Sequence, residues 1–169
     1  MTAEETYAAV NRRLDELGYE PLDLGGEGDC FFRVLAHAIF GNEEMHYKVR
    51  LDVAKQLRDT PDLHTFSDEE LAPFGGTVEG YIQSMSQRGT YVEGQREMLA
   101  ASLAYRKRFY IFGLTLDHDQ NEEVTHPAVW NEVGPLPTVY FVHYHTGDGA
   151  AHYVSLRVKD GYIPPTNTW

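Results

Sequence analysis

The feature that most constrains this chain is a change in hydrophobic period near residue 107. Before it, apolar residues recur every three or four positions; after it, they crowd into short β-branched and aromatic runs. Thr2 and Glu5 form a capping-box pattern, and Tyr7, Val10, Leu14 and Leu17 follow at helical spacing, so residues 3–17 are predicted as a helix ended by Gly18. Residues 21–29 read as loop. A second helix begins at Cys30, with Phe31, Val34, Leu35, Ala38 and Ile39 on one side and Gly41 as its stop. Asn42 caps a third helix over 43–58, closed by Thr60 and Pro61. Ser67 and Thr77 cap two shorter helices that end near Pro73 and Gly89. Residues 93–106 form the last helix, with Met98, Leu99, Ser102 and Leu103 toward the core. Residues 108–114 then read as a buried strand. After a polar stretch containing Pro127, Pro135 and Pro137, the runs 138–145 and 151–158 flank a glycine-rich turn as a β-hairpin. Helices first and strands last define an α+β fold with a small C-terminal β-sheet. The 169 residues, without repeat or linker, fit a single domain over 1–169.

Charge narrows the partners. The 26 acidic and 14 basic residues give a net charge of −12, which argues against nucleic acid, because phosphate-backbone binding needs a basic footprint. An acidic surface favours a basic partner and speeds its encounter, and it also serves solubility alone. No apolar run approaches the roughly 18 residues of a membrane helix, so no membrane partner is expected. The polar, acidic N-terminus does not read as a secretory signal. A monomer without cofactor is the expectation.

The chain has one cysteine, Cys30, which makes neither an internal disulfide nor a cysteine-rich zinc site and fits a reducing, cytoplasmic compartment. It stands where the loop Gly25-Gly26-Glu27-Gly28-Asp29 becomes a helix. Helix N-termini carry partial positive charge and free N–H groups, which lower a thiol's pKa and can hold an oxyanion during acyl transfer. The plainer alternative is a buried cysteine packed between apolar neighbours. The Asp29 side chain, beside the thiol, is free to point to solvent. A thiol nucleophile needs a base within hydrogen-bond reach. Of eight histidines, three lie in the C-terminal hairpin: His143 and His145 on one strand face, and His152 just past the turn. One cysteine with a distant histidine is the pattern of a cysteine protease. Three imidazoles across a hairpin also leave a metal site open as a reading. His46, His64, His118 and His126 have no motif around them, and His37, inside the Cys30 helix, reads as structural.

Two motifs carry a family resemblance. Glu27-Gly28-Asp29-Cys30-Phe31-Phe32-Arg33 resembles the nucleophile motif of the ovarian-tumour (OTU) cysteine peptidases, Asp-Gly-x-Cys-Leu-Phe-Arg. Ala151-His152-Tyr153-Val154-Ser155, 122 residues after Cys30, resembles the family's final histidine motif. Between them, His46-x-x-x-Arg50 is similar to the helix after the nucleophile, and Tyr91 to Ala101 is similar to the family's Trp-Gly-x-x-Glu-x-x-Ala segment. The resemblance covers roughly 20–158.

The resemblance implies a papain-like deubiquitinase that acts on ubiquitin or polyubiquitin, with ubiquitin-like modifiers as further candidates. It implies Cys30 as nucleophile, His152 as general base, and backbone N–H groups of Gly28, Asp29 and Cys30 around the oxyanion. Glu27 keeps the carboxylate of the motif's aspartate, one methylene longer. Val154 stands where the family's third triad member is usual, and valine cannot orient an imidazole. The residues then act as a dyad, or Asp23, from the loop before the cysteine, supplies the acid, ahead of Asn131 and Asn167. The rival readings are an inactive ubiquitin-binding module, another papain-like acyl transferase, and a metal-binding or structural module. The expected place of action is the eukaryotic cytosol, including a host cytosol reached by a delivered microbial effector.

Overall fold

A computed structural model describes residues 3–22, 29–90, 92, 94–116, 122–124, 128–130, 136–145 and 151–160. The chain divides into two compact units, one from residues 1–24 with 108–169 and one from residues 25–107. Among the described residues, no helix is long and apolar enough to cross a membrane.

The first unit is a helix on a sheet. Helix α1 (Ala3–Glu16) is followed by strand β1 (Tyr19–Leu22), and the remaining strands are β2 (Arg108–Leu116), β3 (Glu122–Val124), β4 (Ala128–Trp130), β5 (Thr138–His145) and β6 (Ala151–Val158). The order across the sheet is β1-β6-β5-β2-β3, with β4 also paired to β2. Strands β5 and β6 pair antiparallel, as the hairpin pattern predicts, with Tyr144 opposite His152. Strands β2 and β5 run parallel, from Arg108 opposite Thr138 to Leu114 opposite Tyr144. Val10 and Leu14 of α1 cluster with Tyr19, Tyr110, Val142, Val154 and Leu156, all buried, and Leu17 packs against them. Burying each such side chain contributes about 1.5–3 kcal/mol.

The strands are not all last. β1 precedes every helix except α1 and pairs antiparallel with β6, Tyr19 opposite Val158. As an edge strand it tolerates Pro21, which has no N–H to give a ladder. The polar stretch after residue 116 also contributes β3 and β4, each three residues long and antiparallel to β2. Short strands of this kind exist through their partner rather than through a pattern of their own.

The second unit is helical: α2 (Cys30–Phe40), α3 (His46–Asp59), α4 (Asp68–Leu71), α5 (Val78–Met85) and α6 (Gln95–Tyr105), with 3-10 turns at Glu43–Met45, Pro61–Leu63 and Ala72–Phe74, the first leading into α3. Three predicted caps are present. Asn42 Oδ1 accepts the Glu44 N–H at 3.0 Å, Ser67 Oγ that of Glu70 at 3.1 Å, and Thr77 Oγ1 that of Gly80 at 3.0 Å. Gly41 ends α2 with φ of 70°, a left-handed conformation that suits glycine. Phe32, Leu35, Val49, Val53, Leu57, Ile82, Met85 and Met98 are fully buried. The core face of α6 differs from the expectation: Glu97, Ala100 and Ala101 are buried with Met98 and Ser102, whereas Leu99 and Leu103 are only half-buried.

Candidate active site

Cys30 is the first residue of α2 and is half-buried. Its helix is anchored by the next two residues, Phe31 and Phe32, whose rings meet edge to face at 5.2 Å and are almost wholly buried. Asp29 is the N-cap, and its carbonyl accepts the Arg33 N–H at 2.9 Å, closing the first turn. The backbone N–H groups of Phe31 and of Cys30 itself favour the charged form of the sulfur. The sequence predicts a thiol made more acidic by the helix terminus; the structure corrects this. Burial is the largest influence and raises the thiol above its ordinary value of 9.0, the Asp29 charge adds to the rise, and the two N–H groups only offset part of it. The resting form is therefore the thiol, and attack requires a base to remove its proton.

The Asp29 carboxylate does not point to open solvent either. Its Oδ1 accepts the Arg50 Nη2–H at 2.7 Å and the Gly89 N–H at 2.8 Å. Gly89 takes a φ of 79°, a backbone state that favours glycine. Burial alone would raise the Asp29 carboxyl, but the Gly89 N–H and the Arg50 guanidinium outweigh it and hold the group below 3.8. Asp29 makes no side-chain cap on its own helix, although an N-cap aspartate ordinarily does.

Arg50, on α3, has no exposed side-chain surface. Its Nη1 donates to the carbonyls of Met85 at 2.6 Å and Thr90 at 3.1 Å, and its guanidinium lies 4.3 Å from the centroid of the Phe32 ring. It therefore ties the start of α2 to the end of α5 and the segment before α6. His46, one turn earlier on α3, is buried, with Nδ1 4.0 Å from Asp29 Oδ1. By sequence His46 has no chemical motif around it, and His46 and Arg50 stand out together only through the family resemblance. The available signal was an arginine falling on the same helical stripe as Val49, Val53, Ala54 and Leu57, all buried.

In the sheet unit, position 152 is the second residue of β6, opposite Tyr144; the imidazole of His152 and the side chain of His145 lie outside the described residues. Val154 is buried in the core beside Val142 and Leu156. The His143 ring stacks on Tyr153, with centroids 4.3 Å apart and planes 16° from parallel. Asp23, Glu27, Gly28, Asn131 and Asn167 lie outside the described residues. The helical unit thus brings together Cys30, Asp29, Arg50 and His46.

Known proteins share this architecture. The fold matches the OTU domain of OTUD1 with a TM-score of 0.63 at 16% identity, covering 89% of this chain and 93% of that one. It matches the Hazara virus OTU bound to ubiquitin with a TM-score of 0.60 at 16% identity, covering 83% and 81%. An OTU deubiquitinase from Wolbachia pipientis wMel bound to ubiquitin gives 0.56 at 15% identity, covering 85% and 98%. The fold is that of an OTU domain. In sequence, the chain is 32% identical over 148 residues to OVARIAN TUMOR DOMAIN-containing deubiquitinating enzyme 7 of Arabidopsis thaliana, covering 88% of this chain and 35% of that protein. OTU domain-containing protein 3 of Mus musculus is 29% identical over 89 residues, covering 52% and 21%. The chain spans about a third or less of the length of these relatives. No family model matches it. On these sequence and structural likenesses, the chain belongs to the ovarian-tumour domain family.

Proposed function

We propose that this chain is a thiol-dependent deubiquitinase that hydrolyses isopeptide bonds at the C-terminal glycine of ubiquitin. The observation that carries the reading is the chain's single thiol at the first residue of a helix that no side chain caps, in a chain of the OTU family. The ubiquitin-bound OTU structures and the relatives named as deubiquitinating enzymes support the substrate class.

In this reading His152 takes the proton from Cys30, and the thiolate adds to the carbonyl carbon of the ubiquitin glycine. Backbone N–H groups of Gly28, Asp29 and Cys30 hold the oxyanion. The intermediate collapses by breaking the C–N bond; the imidazolium returns its proton to the leaving lysine amine, and a thioester to Cys30 remains. His152 then deprotonates a water, which adds to the thioester carbonyl and releases the ubiquitin carboxylate and the thiol. Glu27 supports the loop around the oxyanion, and Asp23 orients His152 where Val154 cannot. The eukaryotic cytosol is the proposed place of action.

The test is ubiquitin bearing a thiol-reactive C-terminal electrophile, read by intact mass. One ubiquitin adduct is expected on the native protein and none on Cys30→Ala. The burial of Val154 favours a second reading, a ubiquitin-binding module of weak or absent activity. Binding of ubiquitin without an adduct, in a protein whose thiol titrates, would establish that reading instead.

A further inference from the structure

Asp29 occupies a position from which a carboxylate normally closes a helix. An N-cap aspartate accepts the N–H of the second or third helical residue, which satisfies an otherwise open donor and places negative charge on the helix axis. At α2 this does not happen. The Asp29 carboxylate is turned to Arg50 Nη2 at 2.7 Å and Gly89 N–H at 2.8 Å, and the helix has no side-chain cap. The first residue of that uncapped helix is Cys30, and the backbone N–H groups of Cys30 and Phe31 favour its thiolate.

Arg50 is built to hold this arrangement. It is fully buried, its Nη1 is fixed by two carbonyls, those of Met85 and Thr90, and Phe32 lies beneath its plane. A guanidinium held by three partners leaves its second terminal nitrogen at a set place, and Asp29 is what that nitrogen meets. We propose that Arg50 is a positioning residue: it draws the Asp29 carboxylate off the start of α2 and so keeps the backbone N–H groups there available to the Cys30 sulfur. Among the described residues, the other charged and titratable groups at this end of the helix are His46, 4.0 Å from Asp29, and Arg33, which faces Glu43 and Glu44 across the α2–α3 connection. The inference rests on Cys30 being the nucleophile of the proposed reaction.

The experiment follows the rate of Cys30 alkylation by iodoacetamide against pH, in the native protein and in variants whose folding is checked by circular dichroism. The chain has one cysteine, so the midpoint belongs to Cys30. Arg50→Met fills the site without a charge and frees Asp29 to cap the helix. Its midpoint is expected to move up by about one pH unit, about a tenfold loss of thiolate at neutral pH. Asp29→Ala in the same background removes the competing carboxylate, and the midpoint is expected to return to the native value or below. A merely structural Arg50 would give no such rescue. An unchanged midpoint in folded Arg50→Met, or a double variant that stays as high as the single one, overturns the proposal. Should Arg50→Met fail to fold, Arg50→Lys decides: an ammonium cannot hold both Asp29 and the two carbonyls, an upward shift is expected, and none would overturn the proposal. The readout needs no ubiquitin. Variants that shift as expected in a protein that never reacts with the ubiquitin electrophile would therefore defeat the deubiquitinase reading and leave this one standing.

Discussion

Two helix starts in the helical unit treat a carboxylate in opposite ways. At α6 the N-cap is Gly94, and the backbone N–H groups of Gly94 and of Glu97, three residues on, favour the charged form of the Glu97 carboxylate. Glu97 stands at the position of a capping-box glutamate. The Tyr81 hydroxyl donates to the same carboxylate, and Glu97 has only 1% of its surface exposed. That helix start is closed. At α2 the carboxylate is as near in sequence, but Arg50 and Gly89 hold it aside and the first helical residue is the thiol-bearing Cys30. The partners decide the electrostatics. Burial pushes the Glu97 carboxyl up, above 4.5, because its nearest donors are a phenol and backbone N–H groups, whereas Asp29, with a guanidinium on its oxygen, is held below 3.8. A helix terminus with no assigned chemistry is plugged; the one beside the only cysteine is kept open.

The largest expected effect tests whether the open start is used. His152→Ala should lower turnover of ubiquitin chains by about 10²–10⁴-fold, the usual weight of a general base. His143→Ala, which removes a ring stacked on Tyr153, should cost only a few-fold. Initial rates on a fluorogenic ubiquitin substrate measure both. Equal losses at the two histidines would point to a shared metal site rather than a single base, and the contrast between the two helix starts would then lose its catalytic meaning.

The next effect concerns stability. Asp29→Asn keeps an acceptor for Arg50 and Gly89 but removes the charge that faces a buried guanidinium. A loss of roughly 1–3 kcal/mol is expected at pH 7, as for a hydrogen bond to a charged group. The folded carboxyl lies below its unfolded value, so its contribution is present above that value and is lost as pH falls through the folded one. In urea denaturation the gap between native protein and variant should therefore close on acidification below 3.8. A gap that stays constant down to pH 2 would show that the charge at Asp29 carries none of it.

The legible and illegible parts of this contrast divide by sequence distance. The caps at Asn42, Ser67 and Thr77 could be read because each bond spans two or three residues. The helix beginning at Cys30 could be read from a glycine loop running into apolar spacing. The partners of Asp29 could not: Arg50 is 21 residues away and Gly89 is 60 away, and neither position announces that its donor will turn to residue 29. The acidity of the thiol was read in the wrong direction because a helix terminus is visible in sequence and the degree of burial is not. Strands β1, β3 and β4 escaped for a related reason. Four residues containing Pro21, and two runs of three, have no period to detect, and they become strands only against β6 and β2. The helical spacing turns Met98, Leu99, Ser102 and Leu103 rather than Glu97 toward the core; Tyr81, 16 positions earlier and donating to Glu97, explains how a carboxyl is accommodated in the core of α6.

The smallest expected effect separates the two carboxylates by the sign of their pH dependence. Glu97→Gln keeps an acceptor for the Tyr81 hydroxyl and removes a charge that burial disfavours. The folded carboxyl of Glu97 lies above its unfolded value, so its contribution is present below that value and is lost as pH rises through the folded one. The variant should thus be close to the native protein in stability at pH 4 and more stable than it at pH 7, the reverse of the trend at Asp29→Asn. Paired urea midpoints at the two pH values measure the difference, and iodoacetamide reactivity of Cys30 should not change, because the plugged helix start is not the one that faces the thiol. A variant that loses stability between pH 4 and pH 7 relative to native protein would mean that the charged form of Glu97 is the stabilised one. In that case the backbone N–H groups of α6 would outweigh burial at Glu97, as those of α2 do not at Cys30.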